Sequence, residues 1–363
     1  MEMSRRAALR MGGLVVVGVG SSGATSIPST SVYDVKADYG AVGNGIVDDT
    51  HAVQSALNAV ADSGGLLLIP RGNYSVGPLS LRLTNYLLPV TIRGEATRSS
   101  VFSRRIASLA AVLTIDASGV LDVPLSIESL SLTSSVGKSG PGLITINTAR
   151  ARLDRIEISG MTLGWLNQGG LMMTIVSSVF VGNNTGVNMS SLNSVAPNLI
   201  HFESCRIIAN TVWGLDYNDG DQLLLTQCNF ENNGTTGKST TGGCVIRGNV
   251  GTASGSANTA LESNWFESNS GYSLLVEDPA SAKFRYLSVR DTVFYSPEAG
   301  QAARVGKIRG VILDNVRAFG TIALSAISSD VRGGVIGTLN DQSTSYVHRF
   351  VATQTGTDSS SKP

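Results

Sequence analysis

Tyr33-Asp-Val-Lys-Ala-Asp-Tyr-Gly40-Ala-Val-Gly43-Asn-Gly45-Ile-Val-Asp48-Asp49-Thr50-His-Ala-Val53-Gln-Ser-Ala56-Leu57-Asn-Ala-Val60 leads, through Gly64-Gly65, to Leu66-Leu-Leu-Ile69-Pro70-Arg71-Gly72-Asn73-Tyr-Ser-Val76. Gly40, Gly43 and Gly45 mark a loop whose backbone angles other residues avoid. Asp48, Asp49 and Thr50 place short oxygen-bearing side chains where a helix can start, and carboxylates suit the positive helix end. Val53, Ala56, Leu57 and Val60 then fall at i, i+3, i+4 and i+7, which gives one apolar helix face. Gly64-Gly65 stops the helix. Leu66 to Ile69 reads as a short buried strand, and Pro70 to Asn73 as a turn.

This order of parts resembles the N-terminal cap of the pectate-lyase-3 family, within the rhamnogalacturonase/epimerase-like pectate lyases. The glycine loop, the Asp48-Asp49-Thr50 triplet, the amphipathic helix and the Leu66 to Tyr74 segment carry the resemblance; Asn44 departs from it, standing where the family usually has Asp. The resemblance implies an all-β, single-stranded right-handed parallel β-helix whose N-terminal end is plugged by a capping α-helix. It leaves the reaction open, because such proteins include lyases, hydrolases, transferases and phage tail proteins. Asp48 and Asp49 are read as helix-cap residues.

Ahead of this segment, Ser4-Arg5-Arg6-Ala7-Ala8-Leu9 matches a twin-arginine export pattern, followed by an apolar run from Met11 to Gly20 and small residues at Ser22-Gly23-Ala24. Residues 1–26 are therefore expected to be a signal peptide, and the protein to be secreted or periplasmic by the twin-arginine route. The apolar run is too short to span a bilayer, so no membrane insertion is expected. Residues 32–350 would form the β-helix domain, and 351–363, rich in Thr, Ser, Asp and Lys, a disordered tail. With 27 Lys+Arg against 27 Asp+Glu, no basic excess exists to bind nucleic acid. A chain of 363 residues with 41 glycines is long for one globular core but suits a solenoid, whose coils pack only on their neighbours. Three cysteines, Cys205, Cys228 and Cys244, argue against a disulfide framework.

Four segments in the middle align as a repeat: Val176-Ser-Ser-Val-Phe180-Val-Gly-Asn183, Glu203-Ser-Cys205-Arg-Ile207-Ile-Ala-Asn210, Thr226-Gln-Cys228-Asn-Phe230-Glu-Asn-Asn233 and Glu262-Ser-Asn-Trp265-Phe266-Glu-Ser-Asn269. Weaker copies lie around Leu132, Ile158, Phe294 and Val316. The large apolar residues are spaced 27, 23, 36 and 28 apart (180, 207, 230, 266, 294), about one β-helix coil each, with the 36 matching an inserted loop at Gly248 to Asn258. Asn at a fixed corner tolerates left-handed angles and can ladder with its neighbours. Phe202, Cys205, Ile207, Leu225, Cys228 and Phe230 are expected to point inward, the cysteines as small core residues. Glu203 and Glu262 share an outward row with Thr226 between them, His201 lies on the same side, and Glu231 and Glu267 share another row.

A second strand follows each Asn corner, beginning at Gly186, Gly214, Gly243 and Gly271. Leu215 and Tyr217 should face in and Asp216 out, which suggests an outward row of Asn188, Asp216, Arg247 and Glu277, with Asp219 and Asp221 in the loop beyond. β-Elimination at a uronate needs a base and positive charge from Arg, Lys or Ca²⁺ to hold the developing anion. Hydrolysis needs two carboxylates, one acid and one base or nucleophile. Asp216, Arg247, Asp219, Asp221 and Glu277 are the catalytic candidates. Asp219 and Asp221 could hold a hard cation such as Ca²⁺ or form a plain polar turn, and nothing in the sequence requires a cofactor. His201, Glu203, Glu262, Trp213 and Trp265 are candidate substrate contacts, Trp265 foremost among the aromatic residues, which include Tyr217 and Tyr272, as a sugar-stacking platform.

The sequence shows no Gly-His-Gly, zinc spacing, phosphate loop or nucleophile elbow. The resemblance together with the expected acid and Arg247 row leads to the expectation of an enzyme acting on an acidic polysaccharide, pectin-like or an exopolysaccharide, by elimination. A glycoside hydrolase using the same face and a non-catalytic carbohydrate-binding or surface protein are the alternatives. An open last coil makes a homo-oligomer an option.

Overall fold

In the computed structural model the described residues are 31–120, 122–218, 220–238, 240–247, 258–277, 286–295, 301–306, 308–343, 346–350 and 353–354. The signal-peptide reading of residues 1–26, the loop insertion expected at Gly248 to Asn258 apart from Asn258 itself, and most of the 351–363 tail lie outside them. Within the tail, Thr353–Gln354 forms a short strand on Val335 and Ile336, beyond the expected boundary at 350. No helix among the described residues is long and apolar enough to cross a membrane.

The helix Thr50–Ser63 buries Val53, Ala56, Leu57 and Val60, the face its periodicity sets. It packs chiefly on the strand Leu79–Arg82. Burying such aliphatic side chains is worth about 1.5–3 kcal/mol each. The two aspartates divide the work at its start. Asp48 Oδ1 accepts from the Thr50 N–H at 3.0 Å and so caps the helix. Asp49 holds the N-cap position but makes no capping bond with its side chain; its buried carboxylate accepts instead from the backbone N–H groups of Val42 and Gly43 at 2.6 and 3.1 Å. Gly43, at φ 65°, is thereby pinned in the loop its composition predicts.

Beyond the cap the chain winds through repeated coils of three strands. One coil comprises Asn198–Glu203, Arg206–Ile208 and Trp213–Asn218; the next comprises Gln222–Thr226, Asn229–Glu231 and Gly242–Arg247; the next Asn258–Glu262, Trp265–Glu267 and Tyr272–Glu277. Equivalent strands pair in parallel from coil to coil. The first strands build a 13-stranded sheet, and the short second and the third strands build two further faces. The chain is a right-handed parallel β-helix.

The repeat segments prove to be two strands joined at a corner, not one. In each, the residue after the first strand takes the left-handed region: Ser177, Ser204, Gln227 and Ser263, with φ between 49° and 56°. A second corner follows, and here the left-handed residue precedes the Asn rather than being it: Gly182, Ala209, Asn232 and Ser268. The four asparagines, Asn183, Asn210, Asn233 and Asn269, are buried and form a ladder, each donating Nδ2 to the next Oδ1 at 3.2, 2.9 and 3.0 Å. Between the corners a single column of side chains fills the core, Phe102, Leu132, Ile158, Phe180, Ile207, Phe230, Phe266 and Phe294, and Ala318, not Val316, continues it. Phe230 and Phe266 stack at 4.6 Å, and Phe266 and Phe294 at 4.9 Å. Cys205 and Cys228 are buried, unpaired and equivalent at the first corner.

Candidate functional site

The third face is positioned from its corner. The Asn ladder fixes where each third strand starts, and glycines let neighbouring coils approach. A Cβ on Gly214 would sit 2.5 Å from the Gly243 carbonyl oxygen, so no larger residue fits there. Leu215 and Tyr217 face the core, and Asp216 faces out.

The register corrects the expected outward row. Asn188 pairs with Asp216, but Asp216 pairs with Val245 and Val245 with Leu275. Arg247 belongs to the row of Asn218 and Glu277. The cause is local: Gly214 aligns with Gly243, so the partner of Asp216 is Val245, two residues after Gly243, and the expected row enters that strand two residues late at Arg247, while Arg247 and Glu277 pair with each other as expected. The long arginine side chain nevertheless restores the cluster. Arg247 Nη1 is ion-paired with Asp216 Oδ1, and its Nε lies 3.7 Å from Glu277 Oε2. The two carboxylates come from coils two apart and grip one guanidinium.

Their surroundings differ. The Asp216 side chain is 16% exposed and that of Glu277 is 50% exposed. Val245 and Leu275, which follow Asp216 in its row, join Trp213 and Tyr272 in a small buried apolar cluster separate from the main core. Burial raises the Asp216 carboxyl above its ordinary range; Arg247 and a hydrogen bond from Asn188 pull it down less strongly, and the Glu277 charge adds to the rise. Asn188 thus supports the site at the position the outward row predicts.

Several candidates fall elsewhere. Trp213 is 3% exposed in the apolar cluster and cannot offer a ring to a sugar. Tyr217 is buried, and its hydroxyl is held by the Pro197 and Gln222 carbonyls. Tyr272 is buried in the same apolar cluster. Asp221 opens the strand Gln222–Thr226 and donates its backbone N–H to Pro197 at 2.8 Å; its charge helps to raise the Tyr217 phenol. Asp219 lies outside the described residues, and among the described residues no three His, Cys, Asp or Glu side chains converge on a metal position. Glu203, Thr226 and Glu262 do share a row, on the first sheet, which Arg290 continues. His201 Nε2 lies 3.2 Å from Thr226 Oγ1 beside them. Trp265 is 44% exposed on the second face, one corner from Glu262, with its indole N–H donated to Glu267 at 2.8 Å. Among the described residues the candidates therefore separate onto three faces, and Asp216, Arg247 and Glu277 are the catalytic candidates that meet.

No protein-family profile matches the chain, and no curated protein sequence matches it. Solved structures do. The A-module of a mannuronan C-5 epimerase from Azotobacter vinelandii is 13% identical with a TM-score of 0.58, the match covering 90% of this chain and 100% of that one. A tailspike of an Acinetobacter baumannii bacteriophage, described as a capsular polysaccharide depolymerase, is 12% identical with a TM-score of 0.61, covering 92% of this chain and 64% of that one. A protein of Geobacillus virus E2 is 14% identical with a TM-score of 0.59, covering 87% of this chain and 59% of that one. The chain thus spans less than two thirds of the two viral proteins. At these identities the likeness establishes the fold.

Proposed function

We propose that this chain is an exported enzyme that cleaves a polysaccharide on the outward face of its third sheet. The observation that carries the reading is the pair of unlike carboxylates, buried Asp216 and exposed Glu277, held around Arg247. Acid–base cleavage of a glycosidic bond needs two carboxyl groups in different roles, one as acid and one as base or nucleophile. Asp216 would protonate the leaving oxygen, and Glu277 would activate water or attack the sugar. Arg247 orients both and, through its remaining N–H groups, binds a sugar oxygen. The epimerase and depolymerase named above share this fold, and the Arg5-Arg6 pattern supports export by the twin-arginine route.

Elimination is the second reading, and Arg247 is the observation in its favour, since a uronate carboxylate must meet positive charge. Glu277 already stands beside that charge, and a second carboxyl group at Asp216 supplies the acid that hydrolysis needs, which favours hydrolysis. The test is a panel of acidic and neutral polysaccharides, with and without Ca²⁺, followed by absorbance near 235 nm and by a reducing-sugar assay. Reducing ends without absorbance are expected. Rising absorbance would replace hydrolysis with elimination, and silence in both would leave a binding protein.

A further inference from the structure

A second feature stands on the short-strand face, away from the acid–arginine cluster. Trp265, Tyr295 and Phe319 lie on three consecutive coils and are 44%, 41% and 61% exposed. Tyr295 and Phe319 touch, and Trp265 joins them through Glu267. The Trp265 indole donates to Glu267, Glu267 pairs in register with Tyr295, and the Tyr295 and Phe319 rings meet edge-on at 5.4 Å. These rings occupy outward positions of their strands, while Phe266, Phe294 and Ala318 between them fill the core. Three exposed aromatic side chains on consecutive coils of one face mark it as a candidate binding surface.

The chemistry of the face narrows that occupant. On its strands from Arg206–Ile208 onward the charged side chains are Arg206, Glu231, Glu267 and Arg317, two of each sign, so this stretch carries no net attraction for an acidic chain. Glu231 takes hydrogen bonds from Asn229 and Asn232, and Glu267 takes one from Trp265, which orients both carboxylates as acceptors for hydroxyl groups. Coils rise about 4.8 Å, close to the length of one pyranose ring. The three rings together expose roughly 300 Å², at about 150–250 Å² per aromatic side chain. That is well below the ~800 Å² per partner of a stable dimer. Flat apolar rings interleaved with oriented acceptors match the apolar C–H faces and hydroxyls of sugars.

We propose that this stripe is a second glycan-binding surface that takes a run of neutral sugars along the helix axis, separately from the cleaving site. It would hold a polysaccharide while the third face works on another stretch of the same or a neighbouring chain.

The test is affinity electrophoresis of the full chain through gels containing neutral polysaccharides or polygalacturonate. Retardation by at least one neutral polysaccharide is expected. Trp265→Ala with Phe319→Ala should weaken it about tenfold. Trp265→Phe should retain most of it, and Asp216→Asn should leave it unchanged. Several results would overturn the proposal: no retardation by any neutral polysaccharide, full retardation in the double variant, or loss of retardation in Asp216→Asn. A wild-type dimer in sedimentation that the double variant abolishes would make a second copy of the chain the occupant instead. Activity of the third face, measured on the same samples, is read separately, so either site can fail alone.

Discussion

Replacing Asn210 by Ala tests the device that positions the third face. Asn210 is fully buried at the second corner of the coil carrying Asp216. Its Nδ2 donates to the Phe180 carbonyl at 3.1 Å and to Asn233 Oδ1 at 2.9 Å. Its Oδ1 accepts from both the backbone N–H and the Nδ2 of Asn183, at 3.1 and 3.2 Å. Truncation leaves Asn183 Nδ2 with the Ile158 carbonyl and Asn233 Oδ1 with the Asn210 backbone N–H, so those two keep a partner. The Asn183 backbone N–H loses its acceptor, and the Phe180 carbonyl loses a donor. A buried polar group left unmet costs about 1–3 kcal/mol, so the pair predicts a loss of about 2–5 kcal/mol. That is a sizeable part of the ~5–15 kcal/mol that holds a typical domain together. Urea unfolding followed by tryptophan fluorescence reads it as a lower midpoint at unchanged slope. Thr211→Ala, one residue on and exposed, is the control and should stay within about 0.5 kcal/mol. If Asn210→Ala shifts stability no more than Thr211→Ala, the ladder does not hold the corner, and the positioning argument for Asp216 and Arg247 fails with it.

Three further outcomes follow from the site and the core. Arg247→Met should cut polysaccharide cleavage by about 10²-fold or more in the reducing-sugar assay while circular dichroism stays unchanged; near-normal turnover would place the chemistry on another face. Because burial raises the folded Asp216 carboxyl above its ordinary value of 3.8, the native protein binds more protons than the unfolded chain above that pH. Stability therefore falls as pH climbs from about 3.8 through the folded value, and Asp216→Asn should flatten that part of a urea-midpoint profile; an identical profile would refute it. Cys205, Cys228 and Cys244 are buried and unpaired; burial pushes the Cys205 and Cys244 thiols up, and although the hydrogen bond with Cys205 lowers the Cys228 thiol, its burial keeps the reagent out, so Ellman's reagent should find no reactive thiol in the native protein and three after denaturation.

The cap and the coil were legible because each rests on a local rule. Helix periodicity at Val53, Ala56, Leu57 and Val60 needs no tertiary information, and the large apolar residue three places before each Asn recurs because every coil solves the same packing problem. The number of corners was less legible. Ser204 and Gln227 carry the left-handed turn at the first corner, and Ser and Gln are not residues whose side chains announce φ above zero. Here tertiary pairing overrides local preference: the ladder of parallel bonds on both sides over-determines the angle, so the residue at that position is nearly free to vary. The asparagines, by contrast, are constrained by their side-chain amides, and that is why they stand out in the chain while the residues that turn it do not.

The site was legible in its members but not in its register. Gly214 and Gly243 are equivalent in the parallel register, yet the expected row takes Asp216 two residues after the first and Arg247 four after the second, passing over Val245, which is apolar and buried. Taking the next charged side chain in place of the equivalent position moves Arg247 and Glu277 together two residues along their strands relative to Asp216, and leaves their pairing with each other intact. Arg247 survives the slip because its side chain is long enough to reach diagonally across one row, and Glu277 survives because it pairs with Arg247 directly. Trp213 does not survive, because its position beside Val245 and Leu275 is set by contacts across coils that no spacing within one strand records. Charge pairing tolerates a register error of two residues, whereas aromatic burial does not. For a solenoid read from sequence, the acid–arginine cluster is therefore the safer basis for locating chemistry, and the exposed rings become informative only once the faces are known.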